Sequence, residues 1–383
     1  MQKIYPHSKL PNVATTIFAT IGQLAHQHGA VNLSQGYPDF GVAPELLRLV
    51  SKAMNEGHNQ YAPMQGIFTL RETISEKIER LYGHHYHPEN EMTITAGATQ
   101  ALFTAISAFV KKGDEVIVPQ PAYDCYEPAI ELYGGKVVPL SLKGTDFAFD
   151  FDGLKKALSP KTRMLIINTP HNPSGSILSK EDMRKLEQLL KDTNIIVLSD
   201  EVYEHIVFDE QNHESAAKYP ELAKRSIICS SFGKTFHVTG WKMGYCVAPK
   251  ELMREFQKVH QYNVFSVNHP IQRALDTYLK NAGRYEELGV FYQQKRDYFL
   301  KTIAASRFTF APSSGTYFQL LDYSAISDEP DIVFAERLIK EFKLASIPVS
   351  VFYRNGSEAR HLRFCFAKTQ ETLDRGAEIM MKI

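Results

Sequence analysis

The sequence predicts an α/β protein in which a large lobe, built on a mostly parallel seven-stranded sheet between helices, carries a smaller α+β lobe. Two observations predict it. From residue 92 onward, seven short apolar runs rich in Val and Ile alternate with helical patterns, and strands apolar on both faces belong in a parallel sheet covered by helices. Beyond about residue 304, three further strand-like runs alternate with two helical ones, which is the pattern of a separate, smaller lobe. The large lobe is placed at 46–275. Residues 1–45 and 276–383 form an N-terminal arm and the small C-terminal lobe.

Residues 1–45 carry little periodicity and end in GYPDFGVAPELL, where Gly36, Pro38, Asp39 and Pro44 mark turns ahead of a helix starting near Pro44. A loop then leads into an amphipathic helix with Leu70, Ile74, Ile78 and Leu81 on one face. The seven runs are MTITA (92–96), EVIVP (115–119), KVVPL (136–140), RMLIINT (163–169), IIVLSD (195–200), SIICSS (226–231) and GYCVA (244–248). Between them, Gly97 to Val110 reads as a helix burying Ala101, Leu102, Ala105, Ile106 and Phe109, and Ser179 with Asp182 has the pattern of a capping box. A helical region runs from Pro249 to about residue 304, interrupted at VNHPIQ and NAG. The small lobe follows, with strands TYFQLLD (316–322), LASIPVS (344–350) and HLRFCFA (361–367) and helices at 331–342 and 370–382.

Lys plus Arg equals Asp plus Glu at 43 each, so the basic footprint of a nucleic-acid or anionic-membrane binder is missing, and small-molecule partners are expected. A composition 44% hydrophobic and 22% charged excludes a disordered chain. Cys125, Cys229, Cys246 and Cys365 form no C-x-x-C pair. They read as buried thiols in a reducing compartment, and no metal site is expected. The stretch MQKIYPHSKLPN lacks the apolar core of a signal peptide. Met92 to Val110 is uncharged but broken by Thr95, Gly97, Thr99 and Gln100, so it reads as strand then helix rather than a membrane span. A cytoplasmic protein is the expectation.

The chemistry gathers around SSFGKTFHVTGWKMGY (230–245), which follows a buried strand and sets Lys234 among small and hydroxyl residues, with Lys242 eight residues on. Partial desolvation and a nearby cation both lower an ammonium pKa, so the loop suits a lysine whose amine must be neutral and reactive. Ser231, Lys242 and loop amides suit a phosphate. Asp200 ends a buried strand, where an isolated carboxylate is costly unless it meets a cation, and a protonated pyridine nitrogen would be one. Tyr203 and Asn172, just past strands, can donate to an oxygen on the same ring, and Tyr123 can stack on it. Ala98 and Thr99 open a helix, where unpaired N–H groups favour an anion. Arg363 in LRFCFA can grip a carboxylate bidentately. Each feature alone is commonplace; their joint occurrence at strand ends carries the reading.

Through NLSQGYPDF, NQYAPMQG, TAGAT, YDCYEP, NTPHNPSG, SDEVYEH, SFGKTFHVTGWKMGY, GTYF and RFCFAK, the chain resembles, over essentially its whole length, a fold-type I, class I pyridoxal-phosphate aminotransferase. More narrowly it resembles the subgroup of kynurenine aminotransferase (glutamine transaminase K) and bacterial methionine aminotransferase. The resemblance implies pyridoxal 5'-phosphate on a Lys234 Schiff base, Asp200 at the pyridine nitrogen, Tyr203 and Asn172 at the 3-oxygen, and Tyr123 stacked on the ring. It implies Ala98, Thr99, Ser231 and Lys242 at the phosphate, with Tyr61 reaching it from the second subunit of a homodimer. Gly36, Asn172 and Arg363 would meet the substrate carboxylate, and Phe18, Tyr37, Tyr61 and Phe265 would wall the side-chain pocket. The broader class I pattern has arginine where this chain has Lys242, which narrows the resemblance to the subgroup. Ser266 stands where vertebrate kynurenine aminotransferases have histidine, which weighs against kynurenine as preferred substrate.

The implied activity moves the α-amino group of methionine, aromatic amino acids or glutamine to a 2-oxo acid. A carbon–sulfur β-lyase acting on cysteine conjugates shares the same first proton abstraction and is the alternative. A P-loop-like nucleotide-binding protein is the remote alternative: FGKT imitates a Walker A end, but the glycine required five residues before Gly233 is Ile228. Arg354, in FYRNGS, reads as a solvated loop charge, and is the residue best able to pair a distal substrate carboxylate.

Overall fold

The computed structural model describes residues 7–357 and 360–383; the stretch MQKIYPHSKLPN lies partly outside them. The strands are β1 (Val31–Asn32), β2 (Met92–Thr95), β3 (Glu115–Gln120), β4 (Lys136–Ser141), β5 (Thr162–Asn168), β6 (Ile196–Asp200), β7 (Ser226–Ser231), β8 (Gly244–Val247), β9 (Phe318–Asp322), β10 (Leu344–Ala345), β11 (Ile347–Pro348) and β12 (His361–Cys365). Among the described residues a seven-stranded sheet runs β2-β8-β7-β6-β5-β3-β4. It is parallel except for β8, which lies antiparallel between β2 and β7. The Val and Ile runs form it because every residue of β6 is buried, and so is every residue of β2 and β8; only helices on both faces give such strands a dry home.

Helices α1 (Ile17–His28), α2 (Pro44–Asn55), α3 (Phe68–Tyr82) and α4 (Ala98–Phe109) come first in the chain. Pro44 begins α2 as expected, because its missing N–H is one the first turn leaves unpaired anyway. In α4, Ala101, Leu102, Ala105, Ile106 and Phe109 are buried as their spacing predicts. The Ser179–Asp182 capping box is present in both directions, Ser179 N–H donating to Asp182 and Asp182 N–H donating to Ser179 Oγ, which stabilises that helix start by about 1 kcal/mol.

The arm departs from expectation in holding the regular helix α1, capped by Thr16 and closed by Gly29 at φ 59°. Only Ile21 and Ala25 of α1 are fully buried, so its apolar stripe is too thin to show as periodicity. The strand expected at 316–322 starts two residues late, because Thr316 takes φ 65° and turns the chain. That expected at 344–350 breaks at Ser346 and ends in a tight turn, where Asp331 accepts from the Ser350 N–H at 2.7 Å and from its hydroxyl at 2.6 Å. The 331–342 helix is α-helical only to Arg337, then widens over Leu338–Phe342. The arm also reaches the C-terminal part of the chain, since β1 pairs in parallel with β10. No helix among the described residues is long and apolar enough to cross a membrane.

Candidate active site

Neighbouring parallel strands end side by side at one edge of the large sheet, and each delivers a polar group. β5 ends at Asn168 directly opposite Asp200 at the end of β6, and β7 ends at Ser231. Loops and ligands gather at such carboxyl edges. Expected in a loop, Lys234 sits instead in a single helical turn, Phe232–Thr235, in which Ser231 Oγ accepts from the Lys234 N–H at 3.4 Å. Its side chain lines a cavity of about 180 Å³. Ala98, Thr99, Ser231 and Lys242 line it too, as do Tyr123, Asn172, Asp200 and Tyr203. A larger cleft, about 710 Å³, opens between residues 142–151 and 309–322, but the ammonium it offers, Lys185, is half exposed and paired with Glu181. Size therefore does not identify the reactive site; desolvated charge does.

Lys234 Nζ donates to the Gly36 carbonyl at 3.0 Å and to Tyr317 Oη at 2.8 Å. Burial lowers its pKa to about 8; Arg363 and Lys242 push the same way against Cys365 and Asp200. The amine is thus substantially neutral near pH 8. Asp200 is 3% exposed, and burial raises its pKa to about 6. Two donors oppose that rise: the Tyr126 hydroxyl at 2.6 Å to Oδ2 and the Val202 N–H at 3.3 Å to Oδ1. Among the described residues no cation forms an ion pair with it. A carboxylate so placed is stabilised by any cationic group that enters the cavity.

At the α4 start, Gly97 takes φ 77°, a conformation that suits glycine, and its Cα lies close to Lys242. The α4 N-terminus and the Lys242 ammonium together suit an anion. Tyr123 lines the cavity with its hydroxyl 3.4 Å from Thr99 Oγ1, and burial raises its pKa to about 12, so it stays neutral. These residues fit pyridoxal phosphate. A weakly basic amine would suit its aldehyde, a buried carboxylate without an ion pair its ring nitrogen, and a helix start with a lysine its phosphate.

Arg363 is 1% exposed, yet no described residue gives it an ion pair. Nη1 donates to Asn172 Oδ1 at 2.7 Å, Nη2 to the Ser34 carbonyl at 3.2 Å, and Nε has no partner among the described residues. Rings enclose it, with Phe318 3.9 Å and both Phe18 and Phe352 5.3 Å from the guanidinium carbon. Burial lowers its pKa to about 10, still charged at neutral pH. Asn172 is fixed from behind, its N–H donating to Asn168 Oδ1 at 2.8 Å. With its carbonyl oxygen on Arg363, its amide NH2 remains to donate elsewhere.

Not every expected residue joins this group within one chain. Tyr61 is 80% exposed and pairs edge-on with Phe265, itself exposed, at 5.5 Å. Tyr37 is also exposed, its carbonyl accepting from Lys368 Nζ. Phe18 alone of the four aromatic residues stands at the guanidinium. Gly36 turns its carbonyl to Lys234, and a Cβ there would lie 2.7 Å from the Phe318 ring, so only glycine brings that carbonyl so close. Tyr126, Tyr317 and Ser34 were missed as individual residues, although YDCYEP and GTYF carry two of them. Arg354 is not a free loop charge: it forms ion pairs of 2.8 Å with Glu127 and Glu131.

A sheet edge that joins a desolvated lysine to a buried carboxylate and an anion cradle defines a pyridoxal-phosphate enzyme, and residues 28–380 match the model of the aminotransferase class I and II family. The chain belongs to that family; it is an aminotransferase, and its cofactor is pyridoxal phosphate. It is 46% identical over 381 residues to methionine aminotransferase of Escherichia coli, covering 99% of each chain. It is 30% identical over 418 residues to kynurenine–oxoglutarate transaminase 1 of Rattus norvegicus, covering 100% of this chain and 99% of the other. A crystal structure from Escherichia coli described as having a methionine aminotransferase function superimposes with a TM-score of 0.96 at 46% identity, covering 100% of both chains.

Proposed function

We propose that the enzyme moves the α-amino group of methionine, aromatic amino acids or glutamine to a 2-oxo acid, acting in the cytoplasm as a homodimer with shared active sites. Arg363 would bind the α-carboxylate common to all these substrates, with Gly36 and Asn172 beside it. When bound, pyridoxal phosphate supplies an aldehyde that condenses with amines and a protonated ring that withdraws electrons. Lys234 would hold the cofactor and, once its amine is free, would carry a proton as general base. Asp200 would offer its negative charge to the ring nitrogen, Tyr203 and Asn172 would donate to the ring oxygen, and Tyr123 would cover a ring face. Ala98, Thr99, Ser231 and Lys242 would hold the phosphate, joined by Tyr61 of the partner subunit. Residues 46–275 form the cofactor-binding domain, and 1–45 with 276–383 the smaller one. The free cysteines agree with a reducing compartment.

One observation carries the substrate class. Arg354, the residue best able to pair a second carboxylate, is held by Glu127 and Glu131, and a distal carboxylate buried without a partner costs several kcal/mol. Phe18 and Tyr37, with the partner subunit's Tyr61 and the partner subunit's Phe265, would instead offer aromatic surface to a thioether or a ring. The relatives named for methionine and kynurenine support the same class. Steady-state rates with methionine, phenylalanine, glutamine and aspartate against several 2-oxo acids test it. Methionine should exceed aspartate at least about tenfold in kcat/KM, roughly 1.4 kcal/mol. Aspartate winning would overturn the assignment.

A further inference from the structure

Tyr317, in the GTYF motif, has no role in the reaction described above, yet its hydroxyl stands on the reactive amine. Lys234 Nζ donates to Tyr317 Oη at 2.8 Å and to the Gly36 carbonyl at 3.0 Å, and Tyr317 Oη donates to that same carbonyl at 2.5 Å. The three heavy atoms close a triangle. A neutral primary amine has two N–H bonds and one lone pair. When both hydrogens are committed to oxygens, the lone pair is left to face the cavity that Lys234 lines. In the ammonium form, the third hydrogen takes that direction.

The phenol is fixed in place. Tyr317 is 0% exposed, with Tyr203 edge-on at 5.2 Å, Phe318 edge-on at 4.9 Å and Tyr292 tilted at 5.7 Å. Rings packed at this density hold the phenol in place, with its oxygen among Lys234 Nζ, the Gly36 carbonyl and the Tyr203 hydroxyl. Burial raises the phenol pKa well above its ordinary value, and Tyr203 adds to the rise, so the hydroxyl stays neutral and does not accept the lysine's proton. It accepts a hydrogen bond from the amine and holds its direction.

We propose that Tyr317, together with the Gly36 carbonyl, forms a rest for the freed amine of Lys234 and aims its lone pair during proton transfer. The inference rests on the reading of Lys234 as general base. In that step the C–H bond at the substrate α-carbon breaks, its proton forms a new N–H bond on Nζ, and the electron pair stays with the substrate. Handing the proton back to the same carbon would only reverse the step, so the ammonium must release it at a second atom while the same two oxygens hold Nζ in place. Correct alignment of a base is worth orders of magnitude in rate, and a misdirected amine loses rate without losing substrate.

Tyr317→Phe keeps the ring and removes the oxygen. The cofactor-loaded variant should hold the same cofactor content as wild type. KM for methionine should stay within about threefold, kcat should fall at least about tenfold, and the kinetic isotope effect with α-deuterated methionine should rise as proton transfer becomes limiting. A second arm needs no turnover. In cofactor-free protein, carbamylation of Lys234 by cyanate, followed by peptide mass, should show a pH midpoint below the wild-type value, since an acceptor that stabilises the ammonium is gone. Difluorotyrosine at 317 preserves the packing and weakens the acceptor, so it should fall between the two if the phenylalanine variant folds poorly. Unchanged isotope effect and labelling midpoint in these proteins would overturn the inference, even if stability dropped. Wild-type protein that labels elsewhere or fails to transaminate would sink the general-base reading instead.

Discussion

Replacing Tyr126 by phenylalanine removes the hydroxyl that donates to Asp200 Oδ2 at 2.6 Å and leaves the ring in its buried place. A hydrogen bond to a charged acceptor is worth about 1.5–3 kcal/mol, and about 1.36 kcal/mol is one pKa unit. Asp200, at about 6 in the cofactor-free protein, should therefore rise by roughly one to two units in Tyr126→Phe. The sign follows from which form binds. Only the carboxylate meets a cationic ring nitrogen, so cofactor affinity falls as pH drops through the Asp200 pKa, and the fall begins at higher pH in the variant. At pH 6 wild type is half ionised and the variant roughly 1–9%, which predicts about five- to fifty-fold weaker binding. Both proteins are best compared in a Lys234→Ala background, where no covalent bond forms and the cofactor's own titrations cancel. Fluorescence titration of pyridoxal phosphate between pH 5 and 9 reads the affinity. Coincident pH profiles would refute the reasoning, because they would mean that Tyr126 does not govern the Asp200 charge.

Two further outcomes follow from buried charge. Arg363→Lys should weaken every α-amino acid substrate to a similar degree, raising KM about ten- to a hundred-fold through loss of a charge-assisted bond of roughly 1.5–3 kcal/mol; a defect confined to one side-chain class would move Arg363 into the side-chain pocket. Lys77→Met should cost about 3–5 kcal/mol in urea denaturation, because Lys77 Nζ lies 2.8 Å from Glu204 Oε1 with both groups buried. Burial alone would raise the Glu204 pKa, but the Lys77 ammonium and the Tyr82 hydroxyl outweigh it and hold the carboxylate ionised, while burial keeps His205 neutral. A loss under about 1 kcal/mol, or no recovery when Glu204→Met is added, would contradict this account.

The large sheet was legible because its strands are apolar on both faces and stop at polar residues, as IIVLSD stops at Asp200 and SIICSS at Ser231. The same feature made the reactive edge legible, since a carboxylate or lysine at the end of a buried strand needs a partner. What escaped was pairing across the chain. Tyr126 meets Asp200 across 74 residues and Lys234 meets the Gly36 carbonyl across 198, distances over which sequence spacing carries no geometric information. Arg354 escaped for the same reason: its partners Glu127 and Glu131 lie on a helix more than 220 residues earlier. Thr316 at φ 65° and Ser350 captured by Asp331 show how local turns shorten strands that propensity alone extends.

Everything proposed for the reaction depends on Lys234 carrying the cofactor, and borohydride reduction tests that most directly. The purified enzyme should show a visible absorbance band that is lost on reduction, and peptide mapping should place the single stable pyridoxyl adduct on Lys234. Because imine formation needs the neutral amine and burial lowers the Lys234 pKa to about 8, covalent loading of cofactor-free protein should speed up about tenfold per pH unit below that value and level off above it. An adduct on Lys242 or any other lysine, or a loading rate that climbs undiminished to pH 10, would contradict the account.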